Sequence, residues 1–193
     1  DYRFCWLRDA AFTLDVFHRL GHTADTSPFM SWLGGLFLDS PDGVQTLYGI
    51  GRETEIQEYV LDHLEGYRGS RPVRVGNAAA KQFQLDVYGE VLLSFASYYR
   101  AGGHIDDTLW RLTETLVEAA VNHWRLPDHG IWEVRAEPRH FVYSKLMCWV
   151  AVDRGIRLAK ALGRPADVQR WQQARRAIRD DIQERVARLL ERL

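Results

Sequence analysis

The sequence is poor in the residues that build covalent or metal frameworks. It has two cysteines, Cys5 and Cys148, far apart and outside any Cys-x-x-Cys pair. That spacing argues against a disulfide framework or a zinc site and leaves both as reduced core thiols. The seven histidines form neither His-Glu-x-x-His nor His-x-His, so no metal is assigned. Charge of one sign is also missing: 25 Lys and Arg face 26 Asp and Glu. A balanced chain gives no electrostatic case for nucleic acid or a membrane surface, and a neutral substrate suits it better. No run is long and apolar enough to cross a bilayer, and no basic-then-apolar leader stands at the start, so a cytoplasmic protein is expected. In the glycine-rich stretch 62–77 Gly-x-Gly spacing is absent, which gives no phosphate cradle there. No repeat of constant period is visible, which counts against a helical solenoid.

What is abundant is aromatic side chains, seven Trp, eight Tyr and eight Phe in 193 residues. They fit a packed core and equally fit flat faces at a pocket mouth, where proteins hold sugars. The apolar spacing predicts six helices. The first begins near Arg8, with Ala10, Ala11, Leu14, Phe17 and Leu20 on one face and Gly21 at its stop. Ser27-Pro28 reads as a cap and first helical residue for the second, with Phe29, Trp32, Leu33, Leu36 and Phe37 behind it. Ser40 to Gly43 reads as a turn and Val44 to Ile50 as a short strand-like excursion. Residues 62–77 are polar, glycine-rich and long for a connector, which suggests a functional loop. A third helix is expected from Ala78 through Tyr98, and a fourth after the cap Asp106, carrying Leu109, Leu112, Leu116, Ala120 and Trp124. A fifth takes roughly Phe141 to Leu162, and a sixth runs from Pro165 to the last residue, with Val168, Trp171, Ile178 and Leu189 on its apolar face. Three antiparallel hairpins of this kind, joined by alternating short turns and long polar loops, are expected of an all-α chain forming part of an α/α toroid.

Between the fourth and fifth helices lies Pro127-Asp128-His129-Gly130-Ile131-Trp132-Glu133-Val134-Arg135. Pro, Asp and Gly place a turn here, so Glu133 is carried on a loop. Ile131, Trp132 and Val134 would surround its carboxyl with low-dielectric material, the environment that keeps a carboxyl protonated as a general acid. A loop glutamate paired with Arg135 or Arg139 beside a packed Trp fits the local sequence as well.

Read together, four segments narrow the choice. Asp1 to Asp9 (Asp-Tyr-Arg-Phe-Cys-Trp-Leu-Arg-Asp), the loop Leu64 to Ala78, Gln84-Leu-Asp-Val-Tyr-Gly89 and Gly130-Ile-Trp-Glu133 occur in an order that resembles the family-fifteen glycoside hydrolases, the glucoamylases and their prokaryotic trehalase relatives. The resemblance spans essentially the whole chain. It implies an (α/α)6 barrel of twelve helices, of which the six read here would be the first half. Residues 1–193 are then expected to be a single partial catalytic domain, cut at both ends. It also implies release of a terminal α-linked glucose with inversion, with a glucoamylase-like activity as the expected label, trehalase as the alternative, and a small carbohydrate as the partner.

The resemblance implies Glu133 as general acid, Arg8 and Asp9 as the pair that grips the glucose hydroxyls, and Trp132 as a shaper of that subsite. It extends a binding role to Arg74, Asn77, Asp86, His140 and Lys145, whose loops should share one barrel end. Arg8 and Asp9 are also readable as a simple helix-start ion pair. Inversion needs a second carboxylate, the base, about 6.5–9.5 Å from the first. No residue here matches it, because Glu184 and Glu191 sit on a charged helix face, so this chain alone is expected to be inactive. Acid/base chemistry implies no cofactor. Two rivals stay open: a non-catalytic helical-hairpin binding module, and another toroid enzyme such as an epimerase, for which His129 and His140 beside Glu133 would serve.

Overall fold

Helices form where the apolar spacing foretold them, and the departures lie at their ends. The computed structural model describes residues 2–22, 24–39 and 44–191. The turn expected at Ser40 to Gly43, and the side chains of Phe37 and Leu189, fall outside what is described. The elements run β1 (Cys5–Trp6), α1 (Leu7–Arg19), α2 (Ser27–Asp39), β2 (Leu47–Tyr48), β3 (Tyr59–Val60), β4 (Arg74–Val75), α3 (Asp86–Arg100), α4 (Asp107–His123), α5 (Val142–Leu162) and α6 (Val168–Leu190).

Helix α1 starts at Leu7 and buries Leu7, Arg8, Ala11 and Leu14, whereas Phe17 and Leu20, assigned to the same face, are exposed. Asp9 in the first turn and Arg19 in the last complement the helix dipole. Asp106 caps α4 as expected, its Oδ1 accepting from Leu109 N at 2.8 Å. Gly163 closes α5 in the left-handed conformation, φ 63°, that a side chain would strain. The excursion before Gly49 is real: β2 pairs antiparallel with β1, Cys5 opposite Tyr48 and Trp6 opposite Leu47.

The third helix is the main correction. A continuous helix from Ala78 is not formed. A single 3-10 turn spans Ala78–Lys81, capped by Asn77 Oδ1 accepting from Ala79 N, and the chain then extends through Gln82 before α3 begins at Asp86. Three alanines and a lysine are good helix formers, so local propensity is overridden here by what Gln82 and Gln84 contact.

Packing sorts the helices into two layers. Helix α3 lies between α1 and α5, while α4 packs against α2, α5 and α6 behind them. Odd-numbered helices thus line one side and even-numbered helices back them, the alternation expected of part of an α/α toroid. The hairpins are unequal as packing units, since α3 meets α5 more extensively than it meets α4. Phe95, Leu116, Ala120, Val152 and Ile178 are wholly buried at the junction. Trp171 joins them, its indole N–H donating to Glu118 Oε1 at 2.7 Å, so the ring is buried without orphaning its polar atom. No helix among the described residues is long and apolar enough to cross a membrane.

Candidate functional site

At the start of α1 the chain opens a cleft of about 570 Å³, walled by Tyr2, Phe4, Trp6, Arg8, Asp9, Trp132 and Glu133. Two segments more than a hundred residues apart meet there. The β1–β2 pair fixes Trp6, and α1 follows at once, so Arg8 and Asp9 project from its first turn. The opposite wall is the turn between α4 and α5. It is anchored by Asp128, a buried residue whose Oδ2 accepts from Leu85 N, Gly130 N and Ser144 Oγ, and whose backbone bridges to Arg139. Gly130 (φ 65°) leaves no room for a Cβ, which would stand 2.8 Å from the Phe141 ring. Glu133 itself is left-handed, φ 52°, a conformation that costs a residue with a Cβ roughly 1–2 kcal/mol. Such strain persists only where surrounding contacts enforce it, and it concentrates at functional sites.

Glu133 Oε1 accepts from Trp6 Nε1 at 2.7 Å, Arg8 Nη2 at 3.3 Å and Gln84 Nε2 at 3.4 Å. Gln82 Nε2 reaches the Glu133 carbonyl at 3.2 Å, so the broken start of the third helix serves to bring two glutamines onto this turn. The hydrocarbon shell expected from Ile131, Trp132 and Val134 is not what surrounds the carboxyl. Trp132 is 85% exposed and Val134 is exposed, because a left-handed turn sends neighbouring side chains away from one another. The Glu133 side chain is 23% exposed and is held by N–H donors from three residues, Trp6, Arg8 and Gln84.

Arg8 is the hub of this arrangement. It is buried, and its Nη1 donates to Gln84 Oε1 at 2.8 Å and to Asp86 Oδ2 at 3.0 Å, while Nη2 faces Glu133. The helix-start pair with Asp9 is the longest of its contacts, 3.8 Å, and Asp9 is 69% exposed towards the cleft. Asp86 is fully buried beneath Arg8 and does not line the cleft. Burial raises its carboxyl pKa above the ordinary value, an effect that the Arg8 charge opposes.

The remaining expected residues are spread more widely. Arg74 lies on β4 with its Nε 3.5 Å from Glu58, and Asn77 caps the short turn that follows. His140 and Lys145 line a second cleft of about 390 Å³ with Phe141, Ile182 and Arg185. Lys145 is buried there, paired with Asp181 and lying over the Trp124 ring at 5.1 Å. Glu133, Arg8, Asp9 and Trp132, grouped by the motifs, line one cleft. Nothing in the sequence marked Trp6, Gln82 or Gln84 as neighbours of the acid. Tyr2 adds a flat ring at the mouth, stacked on Trp6 with centroids 5.6 Å apart. Among the described residues no group of three or more His, Cys, Asp or Glu is placed to hold a metal ion.

Comparison with known proteins follows the same lines. A trehalase of Mycobacterium tuberculosis is 42% identical over 94% of this chain, and a trehalase of Thermoplasma volcanium is 37% identical over 96% of it. Trehalase 2 of Sulfolobus acidocaldarius is 31% identical over 94%. The chain spans only 27% of the mycobacterial protein's length, 29% of the Thermoplasma protein's and 32% of the Sulfolobus protein's. No solved structure matches the chain. The family model described as glycosyl hydrolases family 15 matches residues 1–189, and with relatives of this identity along nearly its whole length the chain belongs to that family.

Proposed function

We propose that this chain is the part of an inverting α,α-trehalase that carries the general acid, Glu133. The observation that carries the reading is the treatment of one carboxylate. A strained, left-handed glutamate at a cleft wall is held by an indole, a guanidinium and an amide from two segments distant from it in the chain. A structural surface glutamate needs no such enforcement, whereas an acid that must meet a glycosidic oxygen does. Trehalose is preferred to the starch-type oligosaccharides that motif resemblance first suggested, because the relatives at 31–42% identity are named trehalase.

In this reading one glucose unit enters against Tyr2 and Trp132, whose exposed rings suit the apolar face of a sugar. Asp9, exposed on the wall, accepts hydrogen bonds from glucose hydroxyls. Arg8 keeps Glu133 on station. Glu133 then donates its proton to the bridging oxygen as the bond to the anomeric carbon breaks, while water adds from the opposite ring face. The base that activates that water is assigned to the rest of the full-length protein, since Glu184 is exposed and paired with Arg188 on α6.

The test is glucose release from trehalose and from maltotriose by the full-length protein, wild type beside Glu133→Gln. A loss of roughly 10² to 10⁴ on trehalose with the fold intact is expected. Preference for maltotriose would move the label to glucoamylase. An active Glu133→Gln variant would remove Glu133 from the chemistry.

A further inference from the structure

Two residues after the acid, Arg135 reaches across to a carboxylate 77 positions earlier in the chain. Its Nη1 and Nη2 donate to Glu58 Oε1 and Oε2 at 2.8 and 2.7 Å, a two-pronged fork. Glu58 stands just before β3, and its side chain is only 15% exposed. The same carboxylate receives Ala78 N at 3.2 Å and lies 3.5 Å from Arg74 Nε on β4. One side chain therefore joins β4, the short turn that leads towards Gln82 and Gln84, and the turn that carries Glu133. Single exposed ion pairs contribute little, but bidentate Arg–carboxylate geometry within a network is the exception. The backbone is shaped for it. Gly76, φ 75°, lies so close that a Cβ would stand 1.9 Å from Gln57 O and 3.0 Å from Glu58 Cα.

We propose that Glu58 and Arg135 form a clasp that positions the general acid, with Glu58 and Arg135 as positioning residues that never touch the sugar. The inference rests on Glu133 being that acid. It also gives Arg74 and the 62–77 loop a part in the site: the loop holds the acid's turn from behind through Glu58. The pairing favours the charged carboxyl, whose pKa is lowered to about 2, chiefly by its hydrogen bonds to Arg135.

The test separates positioning from simple stability by changing the leaving group. In the full-length protein, Glu58→Gln, Arg135→Gln and the double variant are assayed on trehalose and on α-D-glucosyl fluoride, whose fluoride departs without a proton. Positioning predicts a fall in kcat on trehalose of about tenfold or more, as displaced catalytic groups show. It also predicts near wild-type turnover of the fluoride, and a double variant no worse than either single one. Equal losses on both substrates, or no loss on trehalose, overturn the inference. Amide exchange at Glu133 and Val134 gives a readout free of substrate: faster exchange in Glu58→Gln is expected, and unchanged exchange overturns the clasp. A wild type that cleaves neither substrate removes the functional reading, and the exchange measurement then decides the clasp by itself.

Discussion

Asp86 offers the sharpest perturbation of the site from beneath. Its carboxylate is wholly buried, with Oδ2 3.0 Å from Arg8 Nη1, while Glu133 and Asp9, the other carboxylates near that guanidinium, are partly open to solvent. Asp86→Asn keeps an acceptor oxygen in place and removes the charge. A hydrogen bond to a charged partner contributes about 1.5–3 kcal/mol and a neutral one about 0.5–1.5. The substitution should therefore weaken the hold on Arg8 by about 1–2 kcal/mol. Asp86→Ala removes the acceptor as well and strands a buried guanidinium, a loss of about 3–5 kcal/mol. Because Arg8 also faces Glu133, part of the weakening is transmitted to the acid. At 1.4 kcal/mol per tenfold, kcat/KM on trehalose should fall by about 5- to 30-fold in the Asn variant if all of it is felt there. The assay is steady-state glucose release by the full-length protein, alongside thermal unfolding of wild type, Asn and Ala variants. The pH dependence adds a signed check. Burial raises the folded pKa of Asp86 above 3.8, so ionising it costs net folding stability even though the charge grips Arg8, and that cost appears as pH rises through the folded value. Wild type should therefore lose melting stability relative to Asp86→Asn with rising pH, while its advantage in kcat/KM, which comes from the charge on Arg8, is kept. An Asn variant with unchanged melting and unchanged rate would refute the reasoning, since it would mean that Arg8 does not lean on the charge.

Glu58 predicts the opposite sign: its pKa is lowered from 4.5 to about 2, so its stabilisation is present above pH 4.5 and is lost as pH falls towards 2. The melting difference between wild type and Glu58→Gln should shrink across that range in an acid titration followed by circular dichroism. Gly76→Ala combines a left-handed backbone with a collision at Gln57 O, and should destabilise by more than the roughly 1–2 kcal/mol of the conformation alone, measured as a drop in melting temperature. The 193-residue chain purified by itself should release no measurable glucose from trehalose, and robust turnover would place the base within it.

The sequence by itself determined the helices and the acid-bearing turn. Periodic apolar residues and local caps such as Asp106 and Gly163 act within a few positions, so α1, α4, α5 and α6 are readable to within a turn. The placing of Glu133 on a loop between α4 and α5, and the partnership of Arg8, Asp9 and Trp132 with it in one cleft, were legible for a different reason, as spaced motifs shared with a known family. Only the tertiary structure decided what surrounds the acid. Trp6, Gln84 and Arg8 reach it across 127, 49 and 125 positions, and Arg135 finds Glu58 across 77. Neither distance nor partner is encoded in local spacing, and the neighbours that the sequence did offer, Trp132 and Val134, are turned outward by the left-handed backbone at Glu133. The broken start of α3 has the same origin: good helix formers at Ala78–Lys81 yield to long-range hydrogen bonds from Gln82 and Gln84, an energy that no window of sequence contains.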